Sequence, residues 1–168
     1  AWISEDTPAT PMSDRSRRRL LAENQWLDFA ARSGKRVEIF RLAGIYGPGS
    51  SAIDNLRHGT LRSIIKPGQV FNRIHVADIA GTLIAALSQD HRHAIYNVTD
   101  DEPAPPQEVN AYAAELLGLP PPPEIPIEAA ALSEMALSFY AENKRVKNER
   151  IKSALGVKLR FPTYREGL

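Results

Sequence analysis

Arginine is the residue type whose spacing first invites a chemical reading. Arg15, Arg17, Arg18 and Arg19 crowd together just after Ser13. Arg15 and Arg19 stand four apart, so a helix would put both on one face. A guanidinium stays protonated near neutral pH, so it can fork onto an anion but cannot act as a general base. Two readings are open: a solvated basic helix start, or a pair that holds a phosphate or carboxylate. A second candidate is residues 37–42, an apolar stretch that runs into Ala43-Gly44-Ile45-Tyr46-Gly47-Pro48-Gly49. A strand ending in such a loop is where α/β sheets hold ligands, at the carboxyl edge. Tyr46 is either a core ring with a bonded hydroxyl or a pocket wall. Arg41, inside the apolar strand, reads as a buried, paired arginine. Arg73 faces either a cleft or solvent. His75 reads as a structural hydrogen-bonder, and Asp78 as a first-turn carboxylate favoured by the helix dipole. His91 and His93 flank Arg92, but a metal centre needs further ligands, which the sequence does not place. No metal site is expected.

The elements that must position these groups follow from periodicity and punctuation. Ser13 or Asp14 caps a long helix to Ser33, closed by Gly34, with Leu20, Trp26, Leu27, Ala30 and Ala31 as its apolar side. Residues 37–42 read as a strand, 43–49 as a loop and 50–58 as a short helix. Residues 63–66 and 70–75 read as short strands with Pro67-Gly68 turning between them. The helix over 76–88 has the cleanest pattern: Val76, Ile79, Ala80, Leu83, Ile84 and Leu87 share an apolar face. A buried-type strand follows at 94–98. Pro105-Pro106 opens a helix stopped by Gly118, and the proline run at 120–123 reads as a rigid connector. Residues 128–139 are predicted helical, 144–146 extended, and Asn148 is placed as the cap of a helix ended by Gly156. Pro162-Thr163 opens a final helical turn. Strand and helix alternate, which argues an α/β fold.

The 168 residues suit one globular domain, and 43% hydrophobic with 24% charged residues excludes wholesale disorder. A net charge of +1 gives no support for a nucleic-acid or anionic-membrane partner. No apolar run approaches the roughly 20 residues a bilayer crossing needs. There is no cysteine, so neither disulfides nor thiol chemistry enter. The abrupt Ala1-Trp2-Ile3 start and the final turn lead to the expectation of a chain cut at both ends, mostly at the front.

Several segments, taken in order, resemble the extended short-chain dehydrogenase/reductase proteins. They are Glu5-Asp6-Thr7-Pro8 with Pro11-Met12-Ser13, then Glu23, the stretch from Arg41 to Gly49, Ile74-His75-Val76-Ala77-Asp78-Ile79-Ala80, and Tyr96-Asn97-Val98 followed by Asp101-Glu102-Pro103. No one motif is specific, but the ordered set covers nearly the whole chain and looks most like the bacterial NAD(P)-dependent epimerase/dehydratase branch. The resemblance implies the C-terminal part of a Rossmann-like, doubly wound parallel sheet plus a small α/β substrate-binding subdomain, all within residues 1–168. It implies NAD or NADP as cofactor in the intact protein, touched by Leu42, Ala43 and Ile45. Gly44, Tyr46 and Arg73 would face a small-molecule substrate. The family's glycine-rich phosphate loop is absent from this sequence. Its catalytic Tyr-x-x-x-Lys is replaced: Arg15 stands at the tyrosine position and Arg19 at the lysine position, pointing into the same cleft as Ala43 and Ile45. Gly44 stands where sugar-nucleotide members often carry asparagine, which argues against a nucleotide-sugar substrate. The expected function is an oxidoreductase or epimerase/dehydratase acting on a small organic compound, cytoplasmic, with a homodimer as candidate assembly. The alternative is a catalytically silent NAD(P)-binding sensor.

Overall fold

The computed structural model describes residues 1–88 and 95–168; the expected turn with His91 and His93 lies outside the described residues. The elements are β1 (Trp2–Ile3), α1 (Asp14–Ser33), β2 (Ile39–Leu42), β3 (Gly44–Tyr46), α2 (Ala52–Arg57), β4 (Ser63–Ile65), β5 (Arg73–His75), α3 (Val76–Leu87), β6 (Ile95–Val98), α4 (Pro106–Leu116), β7 (Glu124–Pro126), α5 (Glu134–Ala141), β8 (Arg145–Val146), α6 (Glu149–Leu155) and α7 (Tyr164–Gly167). Among the described residues the named strands pair only in parallel, as β2–β6, β3–β5, β4–β7 and β1–β8. Parallel pairs need crossovers, and helices supply them, so the α/β expectation holds.

Local chemistry accounts for most boundaries. Ser13 caps α1 in a capping box with Ser16, and Gly34 ends it at φ 66°, a backbone region glycine enters without strain. Thr163 and Glu166 form the same kind of box on α7. Four expectations are corrected. The 43–49 loop contains a strand, because Gly44–Tyr46 pairs with Arg73–His75. The two short strands flanking Pro67-Gly68 do not pair with each other: β4 joins β7 and β5 joins β3. Asn148 stands at the N-cap of α6 but makes no side-chain cap hydrogen bond; its Nδ2 instead donates to Thr99 O at 2.8 Å and Asp101 Oδ1 at 2.7 Å. The 128–139 helix begins later, at Glu134, where Ser133 caps it.

One buried cluster joins Ile74, Tyr96 and Val98 of β5 and β6 to Ala86 of α3 and Ile151 and Leu155 of α6, with Phe40 stacked on Tyr96 at 5.5 Å. A second gathers Tyr46, Ala104, Val109 and Tyr164. The helix at 76–88 forms as expected, yet of its apolar stripe only Ile79 packs against a buried cluster, while Val76, Ala80, Leu83, Ile84 and Leu87 are exposed. Asp78, Thr82 and Ala86 turn inward, whereas Ile84 is 65% and Leu87 84% exposed. The side of α3 that meets β5 and α6 is thus its small and polar side. No residue of α1 is fully buried, and Leu21, Trp26 and Phe29 are exposed. Among the described residues no helix is long and apolar enough to cross a membrane.

Candidate functional site

α1 is tied to β2 by one ion pair. Arg41 Nη2 lies 2.6 Å from Glu23 Oε2, and Nε donates to both carboxylate oxygens. Arg41 is therefore the paired arginine its apolar setting suggested, and Glu23 is its partner. This clamp aims the N-terminal half of α1 at a cavity of about 410 Å³. Arg15 and Arg19 line it, opposite Val70, Phe71 and Asn72 before β5 and Phe139 on α5. The Arg15 guanidinium lies 6.0 Å from the centroid of the Phe139 ring. Neither Arg15 nor Arg19 has an ion pair among the described residues, whereas Arg17 pairs with Asp14 at 3.1 Å.

Ala43 and Ile45 are not among the walls of that cavity, so its lining does not bring them together with Arg15 and Arg19 as expected. β3 lies beside it: Gly44 N donates to Asn72 O at 3.1 Å, and a side chain at Gly44 would bring Cβ within 3.2 Å of the same oxygen. Leu42 and Ile45 are 43% and 54% exposed at the carboxyl end of β2 and on β3, and Ala43 N donates to Val98 O. Tyr46 takes the core alternative. It is buried, donates to Thr163 O at 3.3 Å and packs edge-on to His75. Burial, then the nearby Asp100 and Asp78, push its hydroxyl well above the ordinary tyrosine range. Arg73 is half-buried and its Nη1 donates to Phe71 O and Ala104 O, so its visible work is to hold the chain that forms the cavity wall. Burial pulls its guanidinium below the usual arginine range.

His75 is the structural hydrogen-bonder expected: its Nδ1 accepts from Ala77 N at 3.1 Å and caps α3. Desolvation lowers its pKa. Asp78 does more than sit in a helix dipole. It is 4% exposed and accepts from Arg160 N at 2.7 Å and Phe161 N at 3.0 Å, pinning the segment before α7. Sequence reading missed this, and it missed Asp100, which burial pushes up to about 7. It also missed Phe71 and Phe139, because nothing in the pattern links residues 68 positions apart. Among the described residues no cluster of histidine and carboxylate groups could hold a metal.

No family model matches the sequence. A protein from Silicibacter pomeroyi of unknown function superposes with a TM-score of 0.89 at 54% identity, covering 99% of this chain and 57% of that one. The structure of MoeE5 with UDP-glucuronic acid and NAD superposes with a TM-score of 0.76 at 25% identity, covering 98% of this chain and 56% of that one. A 3-diazoavenalumate denitrifying reductase from a Streptomyces species is 31% identical over 144 residues, 77% of this chain and 45% of the relative. The chain thus spans about half the length of the proteins it matches.

Proposed function

Since this chain belongs to the NAD(P)-dependent epimerase/dehydratase-like short-chain dehydrogenase/reductase proteins, we propose that the intact protein is an NAD(P)-dependent oxidoreductase or epimerase acting on a small organic substrate. The observation that carries this is the exposed apolar pair Leu42 and Ile45 at the carboxyl edge of β2 and β3, next to a cavity bearing two unpaired guanidinium groups. Exposed apolar side chains at that edge fit the face of a nicotinamide ring. Nicotinamide, when bound, supplies or receives the hydride. Ala43 and Ile45 would form one wall against it. Gly44 lets β3 approach Asn72 closely. Arg15 and Arg19 would hold the anionic part of a substrate. They would not move its proton, because arginine stays protonated. The reductase and NAD-bound relatives described above support this reading.

The test is a titration of the full-length protein with NADH and with NADPH, followed by nicotinamide fluorescence. One of the two should bind saturably, and Ile45→Asp should weaken that binding roughly tenfold or more, because it places a carboxylate against an apolar ring. Absence of saturable binding by both would overturn the proposal. A second reading rests on Arg15 and Arg19 standing where the family has its tyrosine and lysine: a catalytically silent protein that senses NAD(P). Binding of the cofactor without turnover across small carbonyl and carboxylic substrates would favour it.

A further inference from the structure

The polar groups around the cavity beside α1 are almost all committed elsewhere. Ser13 and Ser16 bond each other at 2.5 Å. Asn72 Nδ2 donates to Lys144 O and its Oδ1 accepts from Val146 N. Ser138 donates to Met135 O, and Lys144 pairs with Glu142 at 2.5 Å. That leaves Arg15 and Arg19, which have neither hydrogen bond nor ion pair among the described residues. The rest of the wall is apolar, with Phe71 and Phe139 its largest groups. Phe71 is fixed edge-on to Tyr140 at 5.2 Å, and Phe139 carries the Arg15 guanidinium.

This inventory discriminates between ligand classes. Two guanidinium groups four residues apart in the first turns of a helix repel each other and oppose its dipole. Both side chains are exposed, and an anion between them would reduce both effects. The serines, Asn72 and Lys144 of the wall each already have a partner, so the polar side chains left without hydrogen bond or ion pair among the described residues are two cations, which favour an anion over a neutral polyol. The volume of about 410 Å³ is at the small end for ligand sites, which run from roughly 300 to 1,000 Å³. Aromatic walls suit a flat apolar body. We infer that the cavity takes a small planar carboxylic acid, with the carboxylate forked by Arg15 and Arg19 and the apolar body laid against Phe71 and Phe139. A nucleotide sugar fits it poorly. This rests on reading the cavity as the substrate site.

The probes are trans-cinnamate, its neutral amide cinnamamide, and UDP-glucose, each titrated calorimetrically into the full-length protein, with NADH titrated separately. Cinnamate should bind saturably and at least tenfold more tightly than cinnamamide. Arg15→Ala and Arg19→Ala should each weaken cinnamate by roughly 10- to 150-fold, the usual effect of removing a hydrogen bond to a charged group. Phe139→Ala should weaken the acid and the amide alike. All three variants should keep the parent's far-ultraviolet circular dichroism and melting transition, which reports that they fold. Equal binding of acid and amide, no effect of Arg15→Ala, tighter binding of UDP-glucose, or no cinnamate binding in a protein that binds NADH would each overturn the inference while leaving the cofactor proposal standing. Loss of NADH binding by the parent would instead overturn that proposal.

Discussion

Asp100 shows how far folding can move the chemistry of a single side chain. It is 1% exposed, its Oδ1 accepts from Glu102 N at 3.2 Å, and its Oδ2 has no partner among the described residues. Burial dominates and pushes its pKa from 3.8 to about 7, against the pull of the Glu102 amide and Arg73. The folded state therefore holds the proton more tightly than the unfolded chain. Stability from this group is present below about pH 4, falls as pH rises from there to about 7, and is fully lost above 7. Asp100→Asn in the full-length protein should shrink the difference in melting temperature between pH 5.5 and pH 8, an effect on the order of 1 to 4 kcal/mol. An unchanged difference would show that the carboxyl does not titrate in that window. Nothing in the sequence marks Asp100, since its burial comes from strands and loops far away along the chain. Arg41 was legible for the opposite reason: a charge inside an apolar strand requires a partner wherever the chain goes. Asp78 was half legible, because its helix position is local but the two amides it accepts from are 82 and 83 residues further on.

At the scale of elements, existence was easier to read than orientation. Caps, glycine stops and 3.6-residue spacing placed α1, α3, α4 and α6 within a few residues. The same spacing could not say which side of α3 meets this chain. Most of its apolar stripe is exposed, Ile79 excepted, while Asp78, Thr82 and Ala86 pack inward. Strand pairing was less legible still, since β3 reads as a glycine-rich loop until β5 is found beside it. The exposed stripe has a measurable outcome. The 168-residue chain by itself should self-associate and bind an apolar dye such as ANS, because Leu83, Ile84 and Leu87 lie uncovered on one helix and Leu21, Trp26 and Phe29 on another. Ile84→Lys with Leu87→Lys should reduce both effects. A monodisperse sample of the unaltered chain with a sharp, reversible thermal transition would contradict the expectation.

At the scale of the whole molecule, family and fold class were legible because they rest on an ordered set of short segments. The cofactor's phosphates are another matter. No G-x-G-x-x-G run occurs in these 168 residues, and the chain spans about half of the relatives it matches. The chain alone should accordingly fail to bind NADH at micromolar concentration in a fluorescence titration, whereas the full-length protein should succeed. Saturable binding by the chain alone would mean that nicotinamide-side contacts suffice. The tail also sets a timetable. Tyr46 donates to Thr163, Gly167 leaves no room for a side chain against the Tyr46 ring, and Asp78 accepts from Arg160 and Phe161. On a ribosome adding about 5 to 20 residues per second, those partners emerge on the order of ten seconds after the residues they cover. Throughout that interval the nascent chain carries a tyrosine without its cover and a carboxylate without its amides, so this part of the fold closes only once residues 160–167 have been made.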